Sequence, residues 1–163
     1  MIEEEIRVLA VRQPRASLIV EGLKSIEVRS RPTNIRGRVA IYATNHWYSY
    51  NEVKTLFDHF DKLADDKLIT NYMSNYASSM VPSSGPRGKI IGTVEIVDSV
   101  KPISTLEYEI YYNNHLAPFS QYKDGSTHFW MLKRPVKLSD PIPYKPPKGA
   151  VVWSKTVLPE GYS

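Results

Sequence analysis

The chain has 163 residues, no cysteine, and 21 basic against 17 acidic side chains. That length suits one domain spanning residues 1–163, and the missing thiols exclude a disulfide framework, a thiolate zinc site, an iron–sulfur cluster and a cysteine nucleophile. No run approaches the ~18 apolar residues of a membrane helix, and the N-terminal MIEEEIRVLA is acidic where a signal peptide needs positive charge, so a cytoplasmic location is expected.

The excess charge is unevenly spread. Residues 7–38 carry Arg7, Arg12, Arg15, Lys24, Arg29, Arg31, Arg36 and Arg38 against Glu21 and Glu27, a net +6, while the rest of the chain sums to −2. Such asymmetry within one domain predicts a basic surface of the kind a phosphate-bearing partner requires. A solvated, arginine-rich face with no partner is the plain alternative.

In chain order, Ile6–Val11 is an apolar, β-branched run that predicts a buried strand. Pro14 suits a first helical turn and Gly22 a left-handed exit, so Pro14–Glu21 reads as a two-turn helix. Ser25–Arg31 alternates, with Ile26 and Val28 on one face and Glu27, Arg29 and Arg31 on the other. Arg38–Ala43 reads as the next strand. Ser49 and Glu52 form a capping box ahead of an apolar stripe at helical spacing, predicting a helix over Asn51–Leu68. Thr70–Ser84 is polar and reads as a long loop, so residues 45–86 look like a helical insertion. Gly85–Lys89 lacks the Gly-Lys-Ser/Thr ending of a phosphate loop and reads as a turn. Lys89–Val97 predicts a strand in which Gly92 marks a bulge or a close approach. A short helix follows at Ile103–Tyr111, then a loop over Asn113–Ser126. His128–Leu138 reads as a strand that Pro135 confines to an edge or bulge, Pro141–Lys148 as irregular, and Ala150–Trp153 as a last strand. Five to six short strands in non-alternating order with flanking helices predict a small α+β barrel.

Val8–Ala16 (VLAVRQPRA) and Gly22–Arg29 (GLKSIEVR) carry a family resemblance. An Arg-Gln-Pro corner after a strand, a short helix and Gly-x-Lys-x-x-Glu-x-Arg, followed by the strands Gly37–Ala43, Gly92–Ile96 and His128–Leu132, resemble the ASCH family. The resemblance implies a PUA-like β-barrel with a cleft beside the Lys-x-x-Glu-x-Arg segment that receives RNA or a nucleobase. Some members look like RNA binders and some have been described as ribonucleases. One small member hydrolyses N4-acetylcytidine; its lysine is matched by Lys24, and its threonine three residues on is replaced by Glu27. Arg15 stands where an aromatic residue is common and Tyr42 where many relatives carry histidine.

The residues themselves support three readings. As a binding module, the domain would offer Arg12, Arg15, Lys24, Arg29 and Arg38 to phosphates or base edges, Glu27 as an acceptor for a base amino group, and Tyr42, Trp47 and Trp130 as cleft walls or stacking surfaces. Lys24, just past the helix-ending glycine, has a flexible stem able to reach over a cleft. As a metal-independent hydrolase of RNA or an acylated nucleoside, it would use Lys24, its pKa lowered by crowding and burial, with Glu27. As an adaptor, its tyrosine-rich insertion would contact a protein partner. His46, His59, His115 and His128 have no metal-ligand spacing, and no cofactor is implied.

Overall fold

The computed structural model describes residues 4–46, 86–117 and 121–159. The helix expected over Asn51–Leu68, the loop over Thr70–Ser84, and the candidate Trp47 lie outside these residues. The described elements are β1 (Glu5–Val11), α1 (Arg15–Val20), β2 (Ile26–Arg29), β3 (Gly37–Ala43), β4 (Lys89–Val100), α2 (Thr105–Ile110), α3 (Tyr112–His115), β5 (His128–Pro143) and β6 (Trp153–Val157). Among them, no helix is long and apolar enough to cross a membrane.

The strands form one mixed sheet in the order β2-β5-β4-β3-β1-β6, an α+β fold. Only β1 and β3 run parallel; the remaining pairs are antiparallel. Alternation along the strands feeds two cores. Leu9, Val11, Val39, Ile41, Val94, Ile96, Trp130 and Leu132 pack with α1 on one face. Val8, Ala40, Tyr42, Ile90 and Leu138 form the other. Helix α1 buries five of its six residues, Ala16–Val20, and Gly22 ends it at φ +82, a left-handed conformation suited to a residue without Cβ.

Hydrogen bonds do not join the outer strands β2 and β6, so the expected barrel is corrected to a sheet open in its ladder. What brings its ends together is a pair of indoles: Trp130 of β5 stacks on Trp153 of β6 with centroids 5.8 Å apart and planes 16° from parallel. Gly92 marks the predicted close approach, since a Cβ there would lie 2.4 Å from the Val136 carbonyl oxygen and 2.6 Å from Val20 Cγ1. The β4–β5 register shifts beside it.

The strand boundaries differ from expectation most in the last two strands. Strand β5 runs on through Pro141 to Pro143, with Ile142 opposite Ile90; β6 begins at Trp153 rather than ending there. Of the loop expected over Asn113–Ser126, Asn113, Asn114 and His115 belong to α3. The stem around residues 45–86 is tied down on both sides. Thr44 donates its amide to the Val11 carbonyl, and Gly88 donates its amide to the Ala43 carbonyl. The buried Gln13 amide donates to the Pro86 carbonyl at 2.9 Å.

Candidate nucleic-acid interface

The Lys-x-x-Glu-x-Arg segment begins where α1 stops. After Gly22, the amides of Leu23 and Lys24 both donate to the Leu18 carbonyl, turning the chain back over the helix. Ser25 then donates to Asn114, and β2 enters the sheet with Glu27 opposite Trp130 and Arg29 opposite His128.

Lys24 is not the exposed, reaching side chain that its position after a glycine suggests. It is 1% exposed, its ammonium donates to the His115 carbonyl, and Nζ lies 3.6 Å from Glu27 Oε1. Desolvation lowers its pKa from 10.5 to about 8, with the Arg15 and Arg29 charges adding to the fall and Glu27 opposing it. Glu27, 3% exposed, feels the opposite balance. Burial alone would raise its carboxyl, but Arg29, Lys24 and Arg15 together hold it below the usual range.

Arg29 completes the chain of charges. Its Nε and Nη2 donate to Glu27 Oε2 at 3.1 and 2.9 Å, and Nη2 also donates to the Ala10 carbonyl at 3.0 Å. The guanidinium carbon sits 5.5 Å from the Trp130 ring centroid, a cation–π distance. Trp130 is fixed in turn by its indole N–H, which donates to the Arg31 carbonyl at 2.9 Å. One edge of the Arg29 fork is therefore spent on structure, while its Nη1 group makes no hydrogen bond within the described residues. Arg29 also lines a cavity of about 330 Å³ with Val28, Ser30, Gln121, Lys123 and Ser126.

His115 supports this site through its backbone and its ring. Nδ1 accepts the Ala117 amide at 2.9 Å, so Nε2 carries the proton and donates to the Tyr108 carbonyl at 2.7 Å. The ring also packs on Tyr108 with centroids 4.2 Å apart. It is a structural histidine. Among the described residues, no cluster of potential metal ligands occurs.

The remaining candidates divide. Arg15 is half-buried and close enough to act on Lys24, Glu27 and Tyr108, and Arg12 is exposed one residue past β1. Arg38 is placed elsewhere: it donates to Thr93 Oγ1, to the Arg134 carbonyl and to Glu95 at 2.8, 3.0 and 3.4 Å. Strands β4 and β5 separate it from β2. Tyr42 belongs to the second core and meets Tyr144 edge-on at 5.5 Å, so neither residue joins the Arg29 site.

Trp153 and His115 escaped sequence reasoning. A stacking partner 23 residues along the chain leaves no local pattern, and the His115 contribution to Lys24 comes from a carbonyl that every residue has.

The ASCH domain profile matches residues 9–141. The chain belongs to the ASCH domain family. Over 137 residues it is 29% identical to mouse (Mus musculus) activating signal cointegrator 1, covering 84% of this chain but 20% of that protein. The fold is also similar to the crystal structure of an ASCH protein from Zymomonas mobilis. That likeness has a TM-score of 0.54 and 18% identity, covering 94% of this chain and 87% of the other. A single-substitution variant of the same bacterial protein aligns with a TM-score of 0.53 at 17% identity, covering 98% and 92% of the two chains.

Proposed function

We propose that this ASCH domain, acting as one cytoplasmic unit over residues 1–163, binds single-stranded RNA or a nucleotide-like ligand on the surface around Arg29. The observation that carries this reading is the divided guanidinium. Glu27 and the Ala10 carbonyl take the N–H groups of Nε and Nη2, Trp130 supports the plane, Nη1 makes no hydrogen bond among the described residues, and Arg29 lines a cavity. A guanidinium fixed in this way offers the two N–H groups of Nη1 to a phosphate or base edge with little ordering cost. Exposed Arg12 and half-buried Arg15 add long-range attraction.

Affinity for a short single-stranded RNA should fall with salt, with a log–log slope corresponding to about three to five phosphates. Arg12→Ala should reduce that slope by about one contact. Arg29→Lys keeps the charge that balances Glu27 but loses the planar fork, and should weaken binding about tenfold. Absence of binding at low salt, or binding insensitive to salt, would sink the proposal.

Hydrolysis of RNA or an acylated nucleoside is a second reading, favoured by one observation: a Lys24 amine that titrates at about 8 is available as a base near neutral pH. Burial and the bond to His115 withhold it from substrate in this conformation. Lys24→Met, which removes the amine but keeps an unbranched chain in the buried site, would abolish turnover while leaving a pure binder with most of its affinity.

A further inference from the structure

The cavity beside Arg29 has a chemistry that RNA binding in general does not require. One wall is β2 and its exit, giving Val28, Arg29 and Ser30; the other is the 121–126 segment, giving Gln121, Lys123 and Ser126. That second wall is held from within. The Lys123 amide donates to Thr127 Oγ1 at 2.7 Å, the same hydroxyl donates back to the Lys123 carbonyl at 3.0 Å, and the Ser126 amide donates to that carbonyl as well. Thr127 is buried, so the turn is anchored in the body of the protein.

The polar groups on these walls are unspent. Arg29 Nη1, the Ser30 hydroxyl, the Gln121 amide, the Lys123 ammonium and the Ser126 hydroxyl make no hydrogen bond among the described residues. Among the described residues no carboxylate lines the cavity, and Asp124, the single acid between Gln121 and Thr127, accepts from Tyr122 at 3.5 Å. Residues bearing two cations, two hydroxyls and an amide thus line a space of about 330 Å³, at the small end of the ~300–1,000 Å³ range of ligand pockets.

We infer that this cavity is a binding site for a phosphate monoester: the terminal phosphate of an RNA chain or of a mononucleotide. A monoester carries roughly −1.5 to −2 charges and three strong acceptor oxygens, which two cations and the surrounding donors satisfy. An internal phosphodiester offers a single charge and two unbridged oxygens, and would leave part of this donor set unmet. The inference rests on the RNA-binding reading for its ligand class and adds recognition of the chain end.

The test compares one eight-nucleotide RNA in three forms, with a 5′-phosphate, a 3′-phosphate or hydroxyls at both ends, alongside a nucleoside 5′-monophosphate as competitor. We expect one phosphorylated form to bind about tenfold more tightly than the hydroxyl-ended RNA. The end preferred identifies which terminus enters, and competition by the mononucleotide tells a general phosphate site from one that needs a chain. In Lys123→Gln, an exposed position, the ratio between phosphorylated and hydroxyl-ended affinities should fall towards one. Ser30→Ala combined with Ser126→Ala should lower the same ratio. Equal binding of all three RNAs by the unaltered protein would overturn the inference while leaving RNA binding in place. Binding of none would overturn both.

Discussion

An ammonium group at 1% exposure must find its acceptors inside the protein, and Lys24 uses the His115 carbonyl and the Glu27 carboxylate. The sign of its linkage follows from the direction of its shift. Unfolded, Lys24 titrates near 10.5; folded, at about 8. Between those values the unfolded chain binds more protons, so stability rises with pH across that window, and the burial penalty is fully present below it. Measured by urea unfolding, the unaltered protein should gain on Lys24→Met from pH 8 to 10.5 by up to roughly 3 kcal/mol, the free-energy equivalent of the shift. Arg29 keeps Glu27 paired in that variant, so the comparison isolates the lysine. A difference that stays flat across the window would refute a lowered lysine. The Lys24, Glu27 and Arg29 side chains were legible in the sequence through their spacing. The burial of Lys24 was not, because its hydrogen-bond acceptor lies 91 residues away and is a backbone atom.

Strands declare themselves in the sequence where one face is apolar and fade where they lie at an edge. Strands β1, β3 and the first part of β4 read clearly because each is a run of β-branched and apolar residues. Among the described strands β6 pairs only with β1; its Ser154, Lys155 and Thr156 carry little apolar signal, whereas Ala150–Trp153 is apolar. The tail of β5 was missed for a different reason. Pro141 and Pro143 lack amide protons, but residues two apart face the same way, and β2 pairs only with residues 128–131 of β5. Ile142 between them still meets Ile90 in β4, so the prolines fall on the side where no strand among the described residues pairs with them. The bulge or close approach expected at Gly92 is present as a close approach beside register shifts, and it makes a firm prediction. Gly92→Ala would force a methyl against the Val136 carbonyl and Val20, destabilising the fold by about 1–3 kcal/mol. A midpoint of urea denaturation equal to that of the unaltered protein would show that β4 and α1 can part without cost.

At the scale of the whole molecule, the uneven charge read from the sequence is divided by the fold. Arg15 and Arg29 both act on the Lys24–Glu27 pair, whereas Arg38 joins Glu95 and Arg134 farther along the sheet. The basic stretch is continuous along the chain but not across the surface. The barrel expected from the sequence implies a curled sheet but not the contact that draws it together, which depends on Trp130 and Trp153 meeting from strands four places apart in the order. That meeting also gives the domain an optical property. Two indoles stacked at 5.8 Å and 16° share their electronic excitation, so the folded protein should show an exciton couplet in the indole band of its circular dichroism spectrum. Trp153→Phe should abolish the couplet, and its persistence in that variant would assign it to other chromophores. Because Arg29 lies over the same Trp130 ring, a ligand that draws on the guanidinium perturbs the chromophore pair directly, and occupancy becomes readable from the protein's own light absorption without any attached label.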